Sequence, residues 1–157
     1  MIRVSIRGSE EILSRLKAMP QRVTNALIKA MEDSTILIQS IAKVNAPVYR
    51  GFLRVSIAQD VRQEGNTIIG EVGSAAPYAD VVEQGRNVGW FPPVQELQTW
   101  ARRKLGDEHL AFVIGRAIRK RGFRAQPYLQ PAIEAAGPRI TLIFANRLAE
   151  LLQQGNG

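Results

Sequence analysis

Ser34-Thr35-Ile36-Leu37-Ile38-Gln39-Ser40-Ile41-Ala42-Lys43-Val44-Asn45-Ala46-Pro47-Val48-Tyr49-Arg50-Gly51-Phe52-Leu53-Arg54-Val55-Ser56-Ile57 is the stretch where the apolar period changes, and it decides the fold. Upstream, Ile12, Leu16, Met19, Val23, Leu27, Ala30, Ser34, Ile38 and Ile41 recur at spacings of three and four, which marks one face of a helix. The pattern predicts a long helix that starts at Ser9-Glu10-Glu11, after Gly8, and runs to about Val44. Pro20 falls inside it, predicting a kink or the first turn of a second helix. Ala46-Pro47 ends the helix, because a residue before proline is pushed out of the α region.

Downstream the chain turns β-branched. Phe52 to Ile57 and Thr67 to Gly73 read as strands, joined as a hairpin through a polar stretch containing Glu64-Gly65-Asn66. The alternation of Ile2, Val4 and Ile6 predicts another short strand in the first seven residues. Tyr78 to Glu83 reads as a strand, or as a strand followed by a turn at Gln84-Gly85. A loop from Gly85 to Pro93 carries Trp90 and Phe91. Helices are expected from Val94 to Leu105, stopped by Gly106, and from about Glu108 to Lys120, stopped by Gly122. A last helix is expected from about Leu129 to Leu152, with an interruption at Gly137-Pro138. These elements define an α+β fold: a small antiparallel sheet with a long N-terminal helix and a C-terminal helix packed on it. Residues 1–152 are expected to form one domain, and 153–157 a flexible tail.

Composition narrows the function. Twenty-one Lys and Arg against 14 Asp and Glu give a net charge of +7, which favours acidic partners and polyanions. The excess gathers at Arg116, Arg119, Lys120, Arg121 and Arg124, a patch suited to DNA or to an acidic protein partner. It also fits a helix end whose cations offset the dipole. The chain has no cysteine, no run long enough for a membrane span, and no apolar block of the kind a signal peptide needs. Cytoplasmic residence before assembly is therefore expected.

Catalytic chemistry is not assembled in the sequence. His109 is the single histidine and sits beside Asp107 and Glu108 at a helix start; a triad or a zinc site would need more. Gly73-Ser74-Ala75-Ala76-Pro77 lacks the second glycine of a nucleophile elbow, and no phosphate loop occurs. Asp80 and Glu83 read more readily as ion-pair partners of an arginine, in the same or an adjacent copy, than as metal ligands. No catalytic residue, cofactor or metal is expected. A basic nucleic-acid-binding module is the alternative reading, although no helix-turn-helix, RRM or zinc-finger pattern organises the cations.

Four segments, in order, carry a resemblance. They are Ala46-Pro47 through Ile57; Ala76-Pro77-Tyr78-Ala79-Asp80-Val81-Val82-Glu83-Gln84-Gly85; Pro92 through Trp100; and Gly122-Phe123-Arg124-Ala125-Gln126-Pro127-Tyr128-Leu129-Gln130-Pro131-Ala132. Together they resemble the minor tail or neck proteins of long-tailed bacteriophages, of the head–tail joining and tail-completion type. Two positions depart from that pattern: Tyr49-Arg50-Gly51 stands where Asp-Thr-Gly is usual, and Arg86 where threonine follows the Glu-x-Gly.

The resemblance implies a structural virion protein: a homo-oligomeric ring of six copies between the capsid connector and the tail tube or tail terminator, with double-stranded DNA passing through it. Read with the residues, it makes Trp90 and Phe91 candidate interface anchors. Arg54, Glu83 and Arg86 become candidate subunit contacts, Arg54 and Glu83 as a pair. Pro47, Gly51, Pro77, Tyr78, Gly85, Pro127 and Tyr128 are expected to hold the fold.

Overall fold

The computed structural model describes residues 3–7, 21–48 and 51–154. The expected helix start at Ser9, the role of Pro20, and Tyr49-Arg50 lie outside the described residues. The elements are β1 (Arg3–Arg7), α1 (Gln21–Asn45), α2 (Phe52–Ser56), β2 (Ile57–Glu64), β3 (Thr67–Ser74), α3 (Ala79–Gln84), α4 (Val94–Leu105), α5 (Leu110–Arg121) and α6 (Leu129–Gln154). They fall into two compact units: Met1–Ala79 with Pro127–Gly157, and Asp80–Gln126.

The first unit is a helical layer on a sheet. The sheet is antiparallel with order β1-β3-β2, so the central strand is the most apolar one. Glu64 pairs with Thr67 across the two-residue turn Gly65-Asn66, where Gly65 takes φ +60, as tight hairpins require. Gly70, Val72 and Ser74 alternate inward beneath α1 and are buried. The missing side chain at Gly70 lets α1 lie close: a Cβ there would stand 2.7 Å from Thr35 Cγ2 and 2.8 Å from Met31 Sδ. The helix is tied down by polar contacts as well as apolar ones. The Thr35 hydroxyl sits 2.9 Å from Gln59 Oε1, and Gln39 Nε2 donates to the Ile57 carbonyl at 2.9 Å.

The buried stripe of α1 contains Ala30, Ser34 and Ile38, as the spacing predicts, and widens to Met31, Thr35 and Ala42. It widens because α1 is covered on two sides, by β2 and β3 and along its length by α6. Gly137-Pro138 does not interrupt α6, which runs continuously through Pro138. Both residues are exposed, so the hydrogen bond that proline cannot donate is lost on the solvent side. On the outer sheet face, Arg62 bonds Glu71 at 2.6 Å and Glu64 at 2.8 Å. These bonds, Glu71 first, hold its guanidinium above the usual arginine range. Charges on β2, an edge strand, also discourage unwanted strand pairing.

Two expected strands are helical. Phe52 to Ser56 forms one turn, with Val55 N–H donating to the Gly51 carbonyl at 2.8 Å; β2 begins only at Ile57. Leu53 and Ile57 are buried while Val55 is 79% exposed, so the inward spacing is four, not two. Gly51, at φ +72, makes the entry to this turn. Likewise Ala79 to Gln84 is α3, which buries Ala79 and Val82 at a spacing of three despite the β-branched pair Val81-Val82.

The second unit is built on α4 and α5, which pack together. Their ends match the sequence reading: Gly106 leaves α4 at φ +78 and Gly122 leaves α5 at φ +77.

Candidate functional site

Within the second unit, two motifs that are distant in sequence meet. Arg86 N–H donates to the Phe123 carbonyl and Phe123 N–H to the Arg86 carbonyl, both at 2.8 Å. Gln126 N–H bonds the Val82 carbonyl, also at 2.8 Å. The Val82-to-Arg86 segment and the Gly122-to-Gln126 segment are thus laced backbone to backbone. Gly85 sits at φ +70, and a Cβ on it would come within 2.6 Å of the Phe123 carbonyl oxygen. Gly85 is therefore required by this crossing, and not only by a turn.

Arg86 is the hub of the crossing. Its guanidinium pairs with Asp80, donates to the Gly85 carbonyl at 2.8 Å, and lies 5.8 Å from the centre of the Trp90 ring. Asp80 is thus an ion-pair partner of an arginine of its own chain. Trp90 and Phe91 are half-buried. The Phe91 ring fills the space over Gly115, where a Cβ would stand 2.4 Å from it, and lies 6.1 Å from the Phe112 ring. Both aromatics are in part committed to their own unit. Glu83 is half-buried on α3.

The basic residues lie toward the C-terminal end of α5. Arg116, Arg119, Lys120 and Arg121 are exposed on its C-terminal half, and Arg124 is exposed just beyond Gly122. At the opposite end of the helix, Leu110, Phe112 and Val113 are exposed apolar residues. His109 is exposed ahead of α5 and caps nothing with its side chain; its N–H bonds Asp107 at 2.8 Å. Among the described residues no group of three or more His, Cys, Asp or Glu could hold a metal. No helix among them is long and apolar enough to cross a membrane.

The first unit offers an apolar surface that the sequence reading did not single out. Ile36 and Val44 stand one stripe apart on α1, 50% and 77% exposed, and Leu142 on α6 is 60% exposed. Ile36, Leu37, Leu142 and Ile143 line an open groove between the two helices, with Ser40 and Arg139 at its sides. Val48, Phe52 and Val55, beyond the end of α1, are exposed apolar residues as well. Arg54 lies on α2, half-buried, and its Nε is buried without a hydrogen-bond partner among the described residues. Tyr78 is half-buried with its ring 6.4 Å from Phe52; Tyr128 is fully buried. Pro47 is half-buried just past α1, while Pro77 and Pro127 are exposed. The signal for the apolar surface was present: Ile36 and Val44 are large apolar residues off the predicted inner face.

The fold is α+β, with exposed apolar residues on its helical layer. Residues 10–85 match the family model HK97-gp10_like, described as "Bacteriophage HK97-gp10, putative tail-component". The match takes in α1, the hairpin and α3, just under half of the chain. It agrees with the phage tail and neck resemblance carried by the first two sequence motifs. No curated protein and no solved structure matches the chain.

Proposed function

We propose that this protein is a non-enzymatic virion component of a long-tailed phage, in which six copies close a ring at the head–tail junction. DNA passes through the middle of the ring during genome ejection. Its partners are copies of itself, the connector or neck proteins above, and the tail tube or tail terminator below. Residues 1–152 act as one assembly module. The observation that carries the reading is the tail-component match over residues 10–85. The uncovered apolar surface of Ile36, Val44, Val48, Phe52, Val55 and Leu142 supports it, because a ring needs patches that neighbouring copies can bury. In this reading that surface supplies the main subunit contact, and Arg54, Glu83, Arg86, Trp90 and Phe91 lie at further contacts.

Deleting the gene from the phage tests the reading. Heads and tails that accumulate unjoined, or tails that end defectively, are expected. Normal infectious particles would overturn it.

A further inference from the structure

We infer that the C-terminal half of α5 and the turn after it form a sequence-independent binding surface for the phosphate backbone of duplex DNA. The inference deepens the ring reading by naming what this part of the chain touches, and it rests on that reading for its biological setting.

The decisive feature is that the cations are uncompensated. From His109 to Ile133 the chain carries Arg116, Arg119, Lys120, Arg121 and Arg124 and not one carboxylate. All five are exposed, and the described structure gives none of them a side-chain hydrogen bond or ion pair. The basic triplet of α4 behaves differently. Arg102, Arg103 and Lys104 are followed by Asp107 and Glu108, and Arg102 bonds Glu108 at 3.4 Å. Favourable interaction with the helix dipole explains one or two cations in a last turn. It does not explain Arg116, which precedes that turn, or Arg124, which lies outside the helix.

Geometry brings three of the five together. Arg116, Arg119 and Lys120 share one flank of α5 at spacings of three and four. The turn that carries Arg124 is pinned, because Gly122 N–H bonds the Ile118 carbonyl at 2.7 Å and Phe123 is laced to Arg86. The surface is therefore presented on fixed backbone. Its cations are long-reaching side chains of the kind that contact phosphate oxygens, with no element organised to read base edges. In the ring reading the polyanion that passes every copy is duplex DNA; an acidic protein surface is an outcome that the test separates.

The test is a titration of the purified full chain against mixed-sequence duplex DNA of about 30 base pairs, at salt from about 50 to about 200 mM. Five phosphate contacts predict an affinity loss of roughly 500-fold across that range, from a log–log slope of about −4.5. Replacing the five by glutamine is expected to flatten the slope by about 4.5 units, and the pair Arg116→Gln with Lys120→Gln by about 2. Arg102→Gln, Arg103→Gln and Lys104→Gln together should change the slope by less than about 1 unit. An unchanged slope in the α5 variants, or an equal loss in the α4 variant, overturns the inference. So does tighter binding of polyglutamate than of DNA at the same salt, which would assign the surface to an acidic protein. Failure of DNA binding with heads and tails still unjoined in the deletion phage would sink this inference and leave the ring reading intact.

Discussion

Arg147, near the end of α6, bonds Asp33, in the middle of α1, through two guanidinium nitrogens at 2.7 and 3.1 Å. The pair joins residues 114 apart in sequence and fixes how the two long helices lie along each other. The hydrogen bond to Asp33 is the first cause holding the Arg147 guanidinium above its usual range. A raised pKa means that folding favours the protonated form. The resulting stability is complete below the unfolded arginine value and fades only as pH climbs through the folded one. Arg147→Met should therefore lower Tm by a constant amount across about pH 6–9. Asp33→Asn should lower it similarly, and the double variant should lose less than the sum. Calorimetry of the four proteins reads this directly.

Gly70→Ala should destabilise the first unit by about 1–3 kcal/mol, the usual range for overpacking. The new methyl would meet Thr35 Cγ2 and Met31 Sδ at 2.7 and 2.8 Å, and Thr35 is a β-branched residue with little freedom to move. Urea unfolding gives the value; a neutral result would mean that α1 does not lie as close to β3 as described.

Gly115→Ala offers a change of sign. Alanine in a helix interior normally gains about 1 kcal/mol over glycine. Here a Cβ would stand 2.4 Å from the Phe91 ring, so the variant should be destabilised. In a Phe91→Ala background the obstruction is gone, and Gly115→Ala should turn stabilising by up to about 1 kcal/mol. Equal effects in both backgrounds would show that Phe91 does not pack there.

The long helix, the Gly65-Asn66 hairpin and the ends of α4 and α5 were legible in sequence because each has a local cause: a period, a turn glycine, a capping position. The two misread strands have a tertiary cause. Leu53 and Ile57, or Ala79 and Val82, sit inward at spacings that strand alternation does not give, and composition favoured β. Continuity through Pro138 depended on which side of α6 the proline faces, which its flanking residues do not state. At the candidate site, the residue types were legible but their partners were not. That Asp80 would seek an arginine was readable; that Arg86 would bridge it, Trp90 and Phe123 depends on a crossing between segments nearly forty residues apart. The groove beside Ile36 and Leu142 needed two helices brought together and had no signature in either alone.

Phe52→Asp with Val55→Asp should leave the subunit folded and abolish its assembly. Both side chains are exposed, at 56% and 79%, so the isolated chain loses little packing. Circular dichroism should be unchanged, whereas complementation of a deletion phage should fall by more than about tenfold, the factor that a total loss of about 1.4 kcal/mol in affinity gives. Full complementation would remove this surface from the assembly interface.

Cryo-electron microscopy of intact particles, with focused reconstruction of the region between head and tail, tests the central claim most directly. The account expects six copies of the α1–α6 helical layer and its three-stranded sheet, repeated around the channel axis. A junction fully accounted for by other chains, in particles that contain none of this polypeptide, would contradict it.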